Sequence, residues 1–588
     1  MFLAALLAVI VGGFLSTLIW IMVLVAMVAG SMQGKTTGVA PHSILVVNLD
    51  EDINDAPNVD PLSQFDMMNM QMNQSMSLYS ALCALDAAKN DNRIEGIYIR
   101  LNGGGAANNA AIEELRDAIL DFKEQSGKFV VAYNESYTQG AYYLATAADL
   151  IYLHPEGGMS WQGVGFDLTF YKGLLDKLGI TVEVFRPTAC KYKSAVEPFI
   201  LDRMSDANRQ QMSELAHSMW STITAAVSEA RGISVEELNA LADNLAVTLP
   251  EEALANRFVD GLVYEDQMND IFADYGVKAG KDGEYNFVTL GEYASQTLPA
   301  GNFKADKVAI IYAEGEIVDG YGNDGKIYGN SMAELVKSAR LDESIQSVVL
   351  RVNSPGGSAL ASDIIWREIE LLKAEKPVIV SMGGYAASGG YYISCPADAI
   401  VADKLTLTGS IGVFGMMPYG GKFLKEKLGV TFDGVGTNKY SVGGGLTSPL
   451  SPAERATIMR GVDKVYTTFT TNVSEGRNLP IENVLDIAGG RVWSGEEALG
   501  IGLADINGGL KTAIAIAADK AALTDFRVVE ITDEPSGFAE IFSALNARIA
   551  RTWLDSKLGS FSEEYMHLRS VVERSGIQAY CPYLFNID

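Results

Sequence analysis

Histidine is scarce in this chain: four in 588 residues, His42, His154, His217 and His567, none of them in a motif. A nucleophile that relies on an imidazole base therefore has little to draw on. Cysteine is as rare. Cys83, Cys190, Cys395 and Cys581 have no paired spacing, so no thiolate metal site is expected and no metal or other cofactor is assigned. Positive charge is short as well. The 45 Lys and Arg residues against 73 Asp and Glu leave a formal net charge of −28. That balance sets the chain against phosphate backbones and anionic lipid surfaces and excludes nucleic acid as a partner.

Side-chain charge is missing altogether from the first 34 residues, and Met1 to Met32 is almost wholly apolar. Such a stretch is long enough to span a bilayer. It has neither the basic start nor the short apolar core of a cleavable signal peptide, so an uncleaved transmembrane anchor is expected over residues 1–32. Lys35, just after the span, would by itself favour the orientation opposite to an N-in anchor.

Glycine is plentiful, and two glycine stretches organise the rest. Val378-Ile379-Val380 reads as a buried strand. It leads into Tyr385-Ala386-Ala387-Ser388-Gly389-Gly390-Tyr391-Tyr392, where the strand turns into a helix. Ser388 would expose its hydroxyl at a helix N-terminus, where the dipole favours a developing anion. Taken alone, the octapeptide reads equally well as an N-cap followed by pliant glycines. Upstream, the strand-like run Val348–Val352 leads into Asn353-Ser354-Pro355-Gly356-Gly357-Ser358. An amphipathic segment follows, with Leu360, Ile364, Ile365, Ile369 and Leu372 on one face. Backbone N–H groups of Gly356 and Gly357 could form an oxyanion hole, while Ser358 is expected to cap the following helix. The outline is that of an acyl-transfer site.

The chain also repeats itself. Ile97 to Gly105 matches Val348 to Asn353 and the glycines after it, and Tyr137 to Leu144 matches the Ser388 octapeptide. Placing Tyr391 on Tyr142, an offset of 249 residues, puts Ser388 on Gln139. Two tandem copies of one α/β unit are expected, with βαβ connections and largely parallel sheets, and only the second copy carries the hydroxyl.

The wording Asn-Ser-Pro-Gly-Gly-Ser, then Ala-Ser-Gly-Gly-Tyr-Tyr, then Leu407-Thr408-Gly409-Ser410-Ile411-Gly412 resembles the ClpP/crotonase superfamily. Within that superfamily it resembles the signal peptide peptidase A family of membrane-anchored serine proteases. The segment Tyr192-Lys193-Ser194-Ala195-Val196-Glu197-Pro198-Phe199 is similar to the one that carries the catalytic lysine in the long form of that family. The resemblance therefore implies a Ser388/Lys193 dyad, an oxyanion hole at Gly356 and Gly357, and a supporting role for Ser410. Holding a lysine neutral near pH 7 costs about 4–5 kcal/mol, which burial between two domains could supply. Lys439 is a competitor, since sliding Ser451 onto Ser205 places Lys439 on Lys193, but it lacks the Glu-Pro-Phe that follows Lys193.

The resemblance further implies apolar, extended remnant signal peptides as substrates and a homo-oligomer, a tetramer. It also implies a body on the periplasmic side of a bacterial inner membrane. Two other readings stand beside it: a crotonase-like acyl-CoA hydrolase or isomerase, and a non-catalytic anchored scaffold. The expected domains are the anchor over 1–32, a repeat over 33–300 supplying the lysine, a repeat over 301–533 supplying the serine, and a helical tail over 534–588. The tail ends in Ala579-Tyr580-Cys581-Pro582-Tyr583-Leu584-Phe585. That apolar stretch reads as a segment docked on the body, or as one lying extended in a substrate groove as a self-inhibitor.

Overall fold

A computed structural model describes residues 38–48, 53–57, 65–66, 71–72, 76–101, 108–280, 283–297, 305–445, 447–532 and 576–583. The expected anchor over 1–32, Gly103 to Gly105 and most of the 534–588 tail lie outside these residues. Among the described residues no helix is long and apolar enough to cross a membrane.

Near-continuous apolar runs such as Phe129–Ala132 and Val348–Val352 bury both faces of their strands, which is the pattern of parallel sheets covered by helices. Two such sheets form. From edge to edge, the first runs Gly261–Leu262, Leu150–Met159, Phe129–Tyr137, Ile94–Arg100, Ser43–Val47 and Asn286–Thr289, with every pairing parallel. The second repeats that order. Val378–Ala387, Ile345–Ser354, Asp306–Glu314 and Phe526–Ile531 are parallel neighbours, with Ala399–Ala402 and Leu407–Gly409 both on the far flank of Val378–Ala387. The strands starting at Phe129 and Val378 hold the same place in the two sheets and stand 249 residues apart, the offset read from the sequence.

A third, mixed sheet joins the copies. Its order is Ile327–Tyr328, Ile317–Val318, Gly356–Ser358, Ile577–Tyr580, Phe414–Tyr419 and Thr181–Phe185. The last strand comes from the first copy and pairs antiparallel with Phe414–Tyr419 of the second, from Gly415 opposite Phe185 to Tyr419 opposite Thr181. The helical part expected of the tail lies outside the described residues, which resume at Gly576. The tail's described end is an extended strand, because it inserts between two strand edges whose backbone groups need partners.

A buried ion cluster ties the copies together at a second place. Arg351 is wholly enclosed and reaches Asp55 at 2.6 Å and Glu114 at 2.8 Å, both from the first copy. Read from the sequence, Asn54 to about Ser77 is rich in Met, Asn and Gln and is expected to be a surface loop, and Asp55 lies in it. The aspartate is buried because it answers this guanidinium. The long helices begin at capping serines, Ser358 among them as expected. Ser205 caps Asp206–Arg231, Ser451 caps Pro452–Gly476, and Ser358 caps Ala359–Lys373.

Candidate active site

Ser388 ends the strand Val378–Ala387 and precedes the helix Gly389–Ser394. Its N–H donates to Gly409 O at 2.8 Å, holding the turn against the neighbouring strand. Its φ of 57° and ψ of −111° lie in a sparsely populated region for a residue with a Cβ, at a cost of about 1–3 kcal/mol. The hydroxyl makes no helix-capping bond, so it is free to face outward from the turn. The expected exposure is nonetheless corrected: Ser388 is 0 % exposed, covered by groups from both copies.

Lys193 comes from the first copy, just ahead of the short turn Ser194–Val196. Its Nζ lies 2.6 Å from Ser388 Oγ, 2.9 Å from Ser410 O and 2.9 Å from Ser410 Oγ. Both protonation states suit this arrangement. As an ammonium, Nζ donates to Ser388 Oγ and to both Ser410 oxygens; as a neutral amine it keeps its two N–H bonds for Ser410 and has its lone pair for the Ser388 O–H. Lys193 is 1 % exposed. Burial pushes its pKa down to about 8, with the nearby Cys581 and Cys190 acting in the opposite sense. Those thiols are themselves pushed toward their neutral forms by burial.

The residues around Lys193 account for its motif. The Glu197 carboxylate is buried and accepts from Ser205 Oγ at 2.6 Å and Asn208 Nδ2 at 3.0 Å, anchoring the segment to the long helix. Arg186 Nη1 donates to Lys193 O at 2.8 Å. From the other copy, Gly490 packs against the lysine backbone, where a Cβ would meet Lys193 N at 2.6 Å. Ser410 is held with φ 49° by its N–H to Arg491 O at 2.7 Å.

The structure thus brings Ser388, Lys193 and Ser410 together, with Gly356 and Gly357 in the strand beside them. It does not bring Lys439 in, which is exposed with its ammonium over the ring of Tyr440. The described histidines are engaged elsewhere: His42 with Glu95, His154 with Glu156 N, and His217 with Ser213 O. His567 lies outside the described residues.

The glycine cradle differs in one respect from the expectation. The Gly356 N–H donates to Ser354 Oγ at 3.1 Å, so it is already engaged. Sequence reasoning missed Gly389. As the first residue of its helix it has an N–H with no intrahelical acceptor. A Cβ on Gly356 would overlap this N–H, which is the reason for glycine at 356, where φ is 90°. The available signal was position: the residue after a nucleophile at a strand-to-helix turn always starts the helix.

Comparison with known proteins gives the family. The profile of peptidase family S49 matches residues 122–276 and again 370–524, and that of Clp protease matches 300–401. Protease 4 of Haemophilus influenzae is 35 % identical over 542 residues, covering 88 % of this chain and 86 % of that one. Protease 4 of Salmonella typhi is 36 % identical over 484 residues, covering 81 % and 77 %. The chloroplastic serine protease SPPA of Arabidopsis thaliana is 32 % identical over 502 residues, covering 82 % and 72 %.

Proposed function

The chain belongs to peptidase family S49 and is a serine protease, and on that premise we propose that Ser388 is its nucleophile and Lys193 its general base. One observation carries the assignment: Lys193 Nζ stands 2.6 Å from Ser388 Oγ in a buried site shared by the two copies. Family membership sets aside the acyl-CoA enzyme and the scaffold.

The neutral amine takes the Ser388 proton as Oγ attacks a peptide carbonyl. The developing oxyanion is met by the N–H groups of Gly357 and Gly389, with Gly356 providing the room. The ammonium, steadied by Ser410, returns its proton to the leaving amine, and water then releases the acyl group. Ser410 orients the lysine. Each copy contributes half of the machinery, with boundaries near residues 33–300 and 301–533.

The substrates proposed are remnant signal peptides, apolar and extended. The groove would bind them by adding a strand to the sheet that holds Gly356–Ser358. The uncharged stretch over 1–32 supports a single-pass anchor in a bacterial inner membrane with the body on the periplasmic side. A homo-oligomer, a tetramer, is the assembly proposed from the family resemblance.

Two measurements test the dyad. A fluorophosphonate should label wild type at Ser388, read by peptide mass mapping, and should not label Ser388→Ala. Activity should rise with pH as Lys193 loses its proton through about 8. Lys193→Arg should be inactive at every pH, because guanidinium stays protonated. An active Lys193→Arg enzyme would end the lysine's role.

A further inference from the structure

A glutamine outside the dyad stands at the join between the two halves of the site. Gln211 lies on the helix Asp206–Arg231 of the first copy and is 1 % exposed. A primary amide taken out of water is costly unless its oxygen and both its N–H bonds find partners. Here the partners come from both copies. Nε2 donates to Tyr192 O at 3.0 Å and to Ser194 Oγ at 2.9 Å, with Asn208 Oδ1 also at 3.0 Å. Oε1 accepts from the Val492 N–H at 3.3 Å. These partners fix the orientation of the amide, because Tyr192 O can only accept and Val492 N–H can only donate.

Both ends of this bridge lead to the site. Tyr192 and Ser194 are the neighbours of Lys193 in the chain, so the amide grips the segment on either side of the base. In the second copy, Val492–Ser494 pairs antiparallel with Leu407–Gly409, and Val492 stands opposite Gly409. Gly409 O holds the Ser388 N–H at 2.8 Å, and Arg491 O holds the Ser410 N–H at 2.7 Å. One side chain therefore spans from the segment that carries the lysine to the strand that fixes the serine. Two further ties run alongside. The Tyr192 N–H donates to Gly489 O at 3.0 Å, and Arg491, 5.5 Å from the centre of the Tyr192 ring, pairs with Glu214. Water reaches that ion pair, whose side chains are 19 % and 41 % exposed, so it contributes little.

The matching helix of the second copy offers a control. Pro452–Gly476 starts at the cap Ser451 as Asp206–Arg231 starts at the cap Ser205. Six residues after the cap, where the first copy has Gln211, the second has Thr457. Thr457 is exposed, and its hydroxyl donates to Ala453 O of its own helix at 2.9 Å. The copy whose lysine, Lys439, is left in solvent carries no bridging amide at this place.

We propose that Gln211 is a positioning residue for the proteolytic site, setting the place of Lys193 relative to Ser388 by tying the chain on both sides of the lysine to the strand that fixes the serine. The proposal rests on the Ser388/Lys193 reading. Gln211 is bonded to neither reacting atom, so its loss acts on the chemical step and leaves peptide binding alone. A displacement of about 1 Å in a reacting group costs about 10²-fold in rate.

The test uses the full chain with two substitutions. Gln211→Met keeps the volume and removes every polar bond. Gln211→Glu keeps the shape and the acceptor for Val492 but sets an oxygen against Tyr192 O. Gln211→Met should lower kcat by about 10²-fold and Gln211→Glu by about tenfold or more, with KM for a fluorogenic peptide within about twofold of wild type. Fluorophosphonate labelling of Ser388 should slow by the same factors, since it reads the nucleophile without a peptide substrate. The deficit should persist at pH values well above about 8, because deprotonating a displaced amine does not bring it back. A deficit that disappears there would mean that Gln211 acts on the protonation of the lysine and not on its place, and would overturn the proposal. Thr457→Val should behave as wild type, and thermal melting reports whether each variant is folded. Folded variants with wild-type kcat and labelling rate, a rise in KM at unchanged kcat, or a failure of both variants to fold would each overturn it as well. The dyad is judged apart. Gln211 variants as fast as wild type beside an inactive Lys193→Arg enzyme end this proposal alone, whereas slow Gln211 variants beside an active Lys193→Arg enzyme end the dyad and this proposal with it.

Discussion

At the same turn, the two copies have taken opposite courses. In the second, Ser388 sits at φ 57°, makes no capping bond and meets a lysine from the other copy. In the first, Thr138 caps the helix in ordinary extended geometry, and Gln139 becomes its first residue. The Gln139 amide then fills the space itself. Its Oε1 accepts from Gln162 and Gly163 N–H, and its Nε2 donates to Gly163 O at 3.1 Å. At an offset of 249 residues, Gly163 corresponds to Gly412, whose carbonyl lies 3.5 Å from Ser388 Oγ. One loop is thus satisfied by a glutamine in one copy and left to a reactive hydroxyl in the other. On the proposed reading, the strain at Ser388 is a cost of function that the first copy has shed at this turn, while the buried Lys193 is a cost that the first copy still carries.

The sharpest way to break this comparison is to exchange the two residues. Ser388→Ala should cut peptide hydrolysis by about 10⁴-fold or more with the melting temperature unchanged or raised, measured by fluorogenic assay and calorimetry. Gln139→Ser should create no second labelled serine, because Lys193 is engaged with Ser388 and Ser410 on the other copy. A fluorophosphonate adduct at position 139 would refute the asymmetry.

The arginines that match between the copies offer a second contrast. Arg351 is buried against Asp55 and Glu114, whereas Arg100 meets Glu265 at the surface. Arg351→Ala leaves two enclosed carboxylates without their cation and should cost about 3–5 kcal/mol by denaturant unfolding. Arg100→Ala should cost about 1 kcal/mol or less. Equal losses would mean that the cluster does not join the copies.

Smaller effects probe how the second copy grips the lysine of the first. A Cβ at position 490 would push the Lys193 backbone, and φ is 84° there, so Gly490→Ala should lower kcat by about 10²-fold. Labelling at Ser388 should slow in parallel. Ser410→Ala should cost about tenfold in kcat/KM. It removes an acceptor that favours the charged amine, so the rising limb of the pH profile should move below about 8. A limb that moves upward would show that Ser410 does not steady the ammonium.

Sequence reading and structure part company at identifiable residues. Ser388 was read from turn glycines and a repeated strand-to-helix wording, which are local patterns, whereas Lys193 and Ser410 were read from the resemblance of their segments to the family, the Glu-Pro-Phe after Lys193 among them. Gly389 was missed because the reading looked for donors only in the upstream glycine pair. Asp55 was taken for loop surface, since nothing in its neighbours announces a guanidinium 296 residues away. The C-terminal segment was read as apolar and extended, with docking on the body and occupancy of the groove both left open.

Periodicity and duplication are written along the chain, so the amino-acid sequence alone determined the two α/β copies, their largely parallel sheets and the absence of the hydroxyl from the first. Those features depend on residues a few positions apart, or on the chain compared with itself. Tertiary structure alone decided that a lysine and a serine 195 residues apart share one buried pocket. It also decided which strand edge the C-terminus would fill. Burial and backbone pairing depend on what packs from elsewhere, and a buried lysine loses its proton only where the whole fold removes water from it.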